Sequence, residues 1–456
     1  MRFLMLCGAV LALMQGGLAP AAANPHEKVL SNGLKVIVKE DRRAPTAAHM
    51  VWYRAGSVDE VDGTSGVAHL LEHMMFKGTP TVGAGEFSKR VAAAGGRDNA
   101  FTSRDYTAYF QQVPKESLEE MMRLEADRMR HLTLDPKEFD QEIKVVMEER
   151  RLRTDDEPTA QLMEQLNATA FMAHAYRRPV IGFMNDLEHM TVQDARDWYD
   201  RWYVPNNATL VVVGDVRASD VFALAEKYYG PIAARPLPVR KPREEPVQVG
   251  ARRLVVKAPA DLPHLVMAYK APTLRDPKND RAPYALEMLA AVLDGHDGAR
   301  FSRRLVKEQG LAVSAGAGYD STGRGPSLFV LSASPRVGKT VADLEAALRA
   351  EIARVQTEGV TAEELARAKA QVVAGEIYKL DSMFAQAMEI GQMETIGLSH
   401  RDSAVAIERL RAVTAAEVQA VARQVFVDDG LTVGVLDPQP LPESPRPPAA
   451  SGGRRH

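Results

Sequence analysis

One cysteine, Cys7, stands in a chain of 456 residues, and it falls inside an N-terminal leader. Once that leader is removed, the chain can use neither a disulfide framework nor thiolate metal ligands. An excess of either charge is also lacking: 57 Lys and Arg stand against 60 Asp and Glu, a formal charge of -3. That balance gives no electrostatic basis for gripping nucleic acid or a strongly anionic membrane. Beyond the leader no run approaches the roughly 20 uninterrupted apolar residues of a bilayer span, so no stable membrane span is expected after its removal.

The leader has Arg2, an apolar stretch from Phe3 to Met14, and the small residues Ala21, Ala22 and Ala23. That is the layout of a cleaved secretory signal over residues 1–23. It predicts an exported protein, periplasmic or secreted, whose mature form begins at Asn24. A retained membrane anchor is the competing reading, but the apolar stretch is short for a bilayer. Lipidation of Cys7 is disfavoured because that residue sits at the front of the apolar stretch, not at its end.

What remains is long enough for two domains of about 200 residues, each with its own core. VLSNGLKVIVKED predicts two short strands about Asn32-Gly33, a turn pair in which both positions tolerate positive φ; AAHMVWYRAGSVDE continues as a strand. Two helices are expected: Lys115–His131, with Leu118, Met121, Met122, Leu124 and Met129 as core positions, and Pro136–Arg153, capped by Asp135. NATLVVVGDV follows as a buried strand. Residues 234–250, ARPLPVRKPREEPVQVG, are rich in proline and charge without an apolar period and read as an extended linker. Beyond it the order repeats, with strands in RRLVVKAP and LPHLVMAYKAP, a helix from Ala282 to Leu293, a strand in SLFVLSASP and a helix from Thr340 to Gln356. TAEELARAKAQVVAGEIYKL then takes the place of DPKEFDQEIKVVMEERRL. Matching order over 24–233 and 251–437 points to a duplicated α+β unit, and the proline-rich end, 438–456, to a disordered tail.

Only the first copy carries paired histidines. In GTSGVAHLLEHMMFKGT a helix can start with Thr64 or Ser65 as N-cap and stop at Gly78, placing His69 and His73 at i and i+4 on one face. Two imidazoles so stacked reach one metal ion, while Leu70, Leu71, Met74 and Met75 bury the helix. Glu72 lies close enough to act on a water of that metal without being a ligand. A lone histidine on an apolar helix is usually a satisfied core residue. The pair with an intervening carboxylate favours metal, in the order His-x-x-Glu-His, the reverse of the commoner His-Glu-x-x-His zinc motif. A catalytic zinc takes a third protein ligand and leaves its fourth position to water. The helix from Pro136 offers Glu138, Glu142, Glu148 and Glu149, of which Glu142 and Glu149 are two turns apart on one face. Such a pair can supply one ligand and one acceptor that orients an imidazole. The run also reads as a solvated helix face, and spacing alone does not separate Glu148 from Glu149.

Five segments together resemble the pitrilysin or insulinase-type M16 metallopeptidases, in particular M16B-like bacterial members and their catalytic, His-x-x-Glu-His-bearing subunit. They are HLLEHMMFKGT at 69–79, GGRDNAFTSRDYTAYF at 95–110, EIKVVMEERRLRTDDEP at 142–158, HAYRRPVIGF at 174–183 and YVPNNATLVVVGDV at 203–216. The resemblance runs along nearly the whole mature chain. It implies two homologous domains, each an antiparallel β-sheet flanked by α-helices, facing each other across a chamber, with the first domain holding the zinc. It selects Glu149 as the third ligand, with Glu142 as the companion behind it, hence one Zn2+ per chain held by His69, His73 and Glu149. It also places Asn99 and Ala100 in the edge strand beside the zinc, where an extended peptide adds as a further strand.

The activity so implied is zinc-dependent hydrolysis of internal bonds in extended peptides or unfolded polypeptides. Glu72 takes a proton from the water and passes it to the leaving amine. A non-catalytic structural or assembly subunit with the same fold is the alternative, against which the intact His69, Glu72, His73 and Glu149 argue. A metal-dependent hydrolase of other substrates fits the motif but not the wider resemblance. In one place the sequence departs from the family. Many M16 enzymes carry an Arg and a Tyr seven residues apart in the second domain, in a segment like LREKRGLAYS, and these bind the substrate carbonyl. Here LVKEQGLAVS, from Leu305 to Ser314, has Val306 and Val313, which carry no side-chain donor, and Arg303, Arg304 and Tyr319 fall outside the register. The departure predicts a heterodimer with a second M16-like chain that supplies the Arg and Tyr; the alternative is that other groups in the second half replace the pair and the chain works alone or as a homodimer.

Overall fold

The computed structural model describes residues 25–441, so the expected signal, Cys7 and most of the expected tail lie outside the described residues. Segments rich in Val, Ile, Tyr and Ala pair into two sheets. The first contains β1 (His26–Val29), β2 (Lys35–Glu40), β3 (Thr46–Tyr53), β4 (Arg97–Thr102), β5 (Thr107–Pro114) and β6 (Ala208–Gly214), in the order β1-β2-β6-β3-β5-β4. The second contains β7 (Arg252–Pro259), β8 (His264–Ala271), β9 (Ala312–Tyr319), β10 (Ser327–Pro335) and β11 (Leu431–Gln439), in the order β7-β11-β8-β10-β9. Without β1 the two topologies are identical. Each has one parallel contact, β2 with β6 and β7 with β11, among otherwise antiparallel pairs. The expected duplication of an α+β unit is thus visible strand by strand.

One face of each sheet buries its alternate residues under helices of its own half. Val36, Val38, Val51, Tyr109, Leu210 and Val212 meet the helices Val67–Met74, Leu118–His131, Pro136–Arg150 and Val192–Trp202. Leu265, Met267, Phe329, Leu331 and Val433 meet Ala282–Asp294, Val341–Glu358 and Ala415–Val425. The opposite faces are closed by exchange. The helix Pro158–Ala170 of the first half lays Leu162 and Leu166 on Val256, Val266, Ala268 and Leu436 of the second sheet. The helix Met383–Ile396 of the second half lays Ala387 and Ile390 on Ile37, Met50, Trp52, Val211 and Val213 of the first. Glycine makes each seat possible: a Cβ at Gly391 would stand 2.1 Å from the Trp52 indole, and one at Gly434 3.0 Å from Leu162 and Leu166. Each fully buried aliphatic side chain contributes roughly 1.5–3 kcal/mol, so the two exchanged helices fasten the halves firmly. The resemblance implies halves that face each other across a chamber; along this seam they are in direct contact.

Local outcomes outside the histidine helix differ from the sequence reading in three places. The β1–β2 turn is a five-residue loop from Leu30 to Leu34 in which only Gly33 has positive φ, at 85°. Asn32 instead turns inward, and its amide donates to the carbonyls of Tyr229 and Ile232 at 2.7 and 2.9 Å. Residues 234–250 carry no helix or strand, yet they are fastened: Arg240 pairs with Asp59 at 2.8 Å, and Glu245 accepts the backbone N–H groups of Met172, Ala173 and His174. Strand β11 continues through Pro438 and Gln439, two residues into the expected tail. Among the described residues no helix is long and apolar enough to cross a membrane.

Candidate metal centre

The helix that carries the histidines spans Val67–Met74, shorter than expected at both ends. Its N-cap is Gly66, not Thr64 or Ser65. Gly66 has φ 90°, and a Cβ there would stand 2.6 Å from the Ile181 carbonyl oxygen, so only glycine fits. The Ser65 hydroxyl is used elsewhere, donating to Asp186 at 2.5 Å. The orphan N–H groups are satisfied from a distance by the buried Glu60, whose two carboxylate oxygens accept from Gly66 and Ala68, each at 3.0 Å. Burial pushes the Glu60 carboxyl up to about 8 against those two hydrogen bonds. At the other end Lys77 lies in the turn after Met74 and reaches Glu142 at 2.6 Å.

His69 and His73 come out one turn apart, with ring centroids 4.8 Å from each other. The helix Pro136–Arg150 crosses them and brings Glu149 Oε2 to 3.8 Å from His69 Nε2 and 3.4 Å from His73 Nε2. Two ligands about 2.1 Å from one tetrahedral ion stand about 3.4 Å apart, so this donor set has the spacing and the His-His-Glu chemistry of a zinc site. These three residues each offer one ligand atom, all within 4.8 Å of one another. The Glu148 side chain is 59% exposed and pairs with Arg151, outside the cluster. Glu142 accepts from His73 Nδ1 at 3.0 Å, which leaves Nε2 turned toward Glu149. His69 Nδ1 is buried without a hydrogen-bond partner.

Electrostatics fit the same picture. Burial, with the charges of His73 and Arg153, holds His69 down to about 3, in the neutral form a ligand requires. Burial also opposes charge on His73, but the hydrogen bond to Glu142 and the charges of Glu72, Glu142 and Glu149 outweigh it and raise that group. Glu142 is held at about 2 by its hydrogen bond with His73, helped by Lys77 and opposed by burial. Glu72 is raised, mainly by burial, and its Oε2 accepts the Thr102 hydroxyl at 2.5 Å. Thr102 ends β4, so the edge strand that contains Asn99 and Ala100 runs directly beside Glu72. Asn99 and Ala100 pair with Phe110 and Tyr109 of β5, and the far edge of β4 has no strand partner among the described residues.

Sequence reasoning missed four supporting residues. Thr102 and Lys77 gave no local signal, because each meets its partner through the tertiary fold, and Glu60 reaches Gly66 and Ala68 through a turn that matches no capping pattern. Arg153 was legible as the residue four beyond Glu149; it lies in a π-helical turn, Arg151–Asp155, and pairs with Glu149 Oε1 at 2.6 Å. In the second half Val306 packs partly buried against the core, and Val313 is 52% exposed on the edge strand β9. The donors nearby in sequence are engaged elsewhere: Arg303 with Glu308, Arg304 with Glu351, and Tyr319 with the Pro272 carbonyl.

Comparison with known proteins agrees with the fold. Residues 35–183 match the family described as Insulinase (Peptidase family M16), and residues 189–372 match that described as Peptidase M16 inactive domain. Zinc protease PqqE of Helicobacter pylori is 34% identical over 365 residues, 78% of this chain and 80% of that protein. YmxG of Bacillus subtilis, described as an uncharacterized zinc protease, is 27% identical over 87% of this chain and 95% of its own length. The crystal structure of a protease from Helicobacter pylori superposes with a TM-score of 0.87 at 30% identity, over 92% of this chain and all of that one. By sequence and by fold alike, this chain belongs to the M16 (insulinase) peptidase family.

Proposed function

We propose that this protein is a zinc-dependent endopeptidase acting on extended peptides or unfolded polypeptides. The observation that carries the reading is the convergence of His69, His73 and Glu149, with Glu72 on the same helix; the zinc protease names of its relatives support it. His69, His73 and Glu149 would hold the ion, and Glu142 would fix the ring of His73 from behind. Zinc bound there supplies a Lewis acid that lowers the pKa of a water and polarises a carbonyl. Glu72, steadied by the Thr102 hydroxyl, takes a proton from the attacking water and returns it to the leaving amine. The exposed edge of β4, at Asn99 and Ala100, aligns an extended peptide by backbone pairing, which gives loose side-chain preference. Glu72→Gln tests this: the amide keeps the shape and loses the base. The variant should retain metal and lose about 100-fold or more in cleavage of a quenched peptide by the active preparation. Activity within about tenfold of the parent would remove Glu72 from the mechanism, and cleavage that survives removal of the metal would sink the metallopeptidase reading.

The active species in this proposal is a heterodimer in which this chain provides the zinc and a second M16-like chain provides an Arg and a Tyr to the substrate carbonyl. Val306 and Val313 offer no donor, and Arg303, Arg304 and Tyr319 are committed to other partners. A missing oxyanion donor commonly costs about 3 kcal/mol, so the isolated chain should bind zinc yet cleave poorly. Purification from the native host should recover the partner and restore turnover. Full activity of the isolated chain, unimproved by V306R with V313Y, would show instead that it works alone or as a homodimer. The leader further supports export to the periplasm or beyond, for which N-terminal sequencing should find Asn24 first.

A further inference from the structure

A cavity of about 300 Å3 lies in the seam between the halves, and none of His69, Glu72, His73, Glu142 or Glu149 lines it. Its polar wall draws on both halves and both exchanged helices: Arg104, Asn167, Asp320, Thr322 and Gln392. Met163, Leu328 and Ile396 add an apolar side.

Arg104 is the unusual member. Its backbone is fixed, the carbonyl accepting the Val58 N–H at 2.8 Å. Its guanidinium lies 5.1 Å from the centroid of the Tyr176 ring but forms neither a hydrogen bond nor an ion pair with any described residue. Two carboxylates, Asp105 and Asp320, also line the cavity and their charges act on Arg104, but neither stands at ion-pair distance from its guanidinium and each is hydrogen-bonded elsewhere. Asp105 accepts from the Tyr176 hydroxyl and the Arg324 N–H, and Asp320 accepts from the Thr322 N–H and hydroxyl. Other deeply set arginines are each matched to a carboxylate: Arg128 to Glu125, Arg150 to Glu164, Arg300 to Glu364 and Arg324 to Asp59. Burial lowers the pKa of Arg104, opposed by the charges of Tyr176, Asp105 and Asp320. A partly buried guanidinium that opens on a cavity and has no ion-pair partner can be completed by a planar oxyanion that takes two of its N–H groups together.

We propose that this cavity binds a small carboxylate ligand of the kind peptide hydrolysis releases, the terminal carboxylate lying on Arg104 and a short apolar side chain against Met163, Leu328 and Ile396. The source of the ligand rests on the peptidase reading; its binding does not, because neither Glu72 nor the metal takes part. The test therefore uses binding alone. N-acetyl-leucine is titrated into the full-length, zinc-loaded chain by calorimetry and followed by melting temperature, with N-acetyl-leucinamide as the neutral control and inorganic phosphate as the competing oxyanion. The acid should bind saturably, with a dissociation constant on the order of 1 mM, and raise the melting temperature; the amide should not. Arg104→Gln should weaken binding about tenfold or more while melting no lower than the parent, since it abandons no native ion pair. Arg104→Lys, which keeps the charge but not the fork, should fall between the two. An undiminished response in Arg104→Gln would place the acid elsewhere, the metal included, and overturn the proposal. Equal binding of the amide, no binding of the acid, or binding of phosphate alone would overturn it as well.

Discussion

Replacing Glu142 with glutamine keeps the shape of the side chain behind His73 and removes its charge. Glu142 serves two donors at once, His73 Nδ1 at 3.0 Å through Oε2 and Lys77 Nζ at 2.6 Å through Oε1. Glutamine has one acceptor for the pair. If its carbonyl stays on Lys77, its NH2 group faces His73 Nδ1 and favours the tautomer that carries hydrogen on Nε2, the nitrogen now aimed at Glu149. If it turns the other way, an NH2 group meets the ammonium of Lys77. A hydrogen bond to a charged group contributes about 1.5–3 kcal/mol, and loss of such an outer partner typically weakens metal binding 10–100-fold, roughly 1.4–2.7 kcal/mol. Competition against a chromophoric chelator should therefore show E142Q binding zinc about 10–100-fold more weakly than the parent, with the fold intact by circular dichroism. Glu148→Gln is the internal control: its exposed side chain pairs only with Arg151, so its affinity should not move. Parent-like affinity in E142Q, or an equal loss in E148Q, would refute the assignment of Glu142 as the group that orients His73.

Two further outcomes concern the fold. Gly391→Ala forces a methyl group onto the Trp52 indole, 2.1 Å away; overpacking of about 1–3 kcal/mol should exceed the roughly 1 kcal/mol gained in helix propensity, so the urea midpoint should fall, and an unchanged or higher midpoint would mean the seat is loose. Glu394 joins the halves, accepting from His400 at 2.7 Å and from Lys35 at 2.8 Å. Burial opposes its ionisation, but those hydrogen bonds win and hold it at about 2, below the ordinary 4.5. A depressed acid contributes stability that is present above its unfolded value and lost as pH falls toward the folded one. Glu394→Gln should accordingly reduce stability near neutral pH and flatten the decline between about pH 4.5 and 2; superimposable pH profiles of parent and variant would count against the ion pair.

The legible parts were those with a local cause. The i, i+4 histidines, the seven-residue step from Glu142 to Glu149 and the repeated order of strands all depend on helix or strand period, which a sequence displays directly. Resemblance to a family then separated Glu149 from Glu148, which periodicity could not do. The rest depended on irregular turns or on contacts made at long range. Glu60 caps a helix six residues away through a turn that no cap rule describes, and Thr102 reaches Glu72 only because β4 lies along the histidine helix. The helices Pro158–Ala170 and Met383–Ile396 were not foreseen either. Each buries its apolar face on the other half's sheet, and nothing within a helix specifies which sheet will receive it.

That exchange has a consequence for how the chain is made. The seat of Leu162 and Leu166 is built from β7, β8 and β11, and β11 runs from Leu431 to Gln439. During synthesis the apolar helix Pro158–Ala170 must therefore wait uncovered until β11 emerges, and the sheet face around Trp52 and Val211 until Met383–Ile396 does. Neither half expressed alone should be soluble, whereas both, produced together as separate polypeptides divided within residues 234–250, should clasp and fold. Biogenesis of this protein is in that sense an all-or-nothing event set by the arrival of β11.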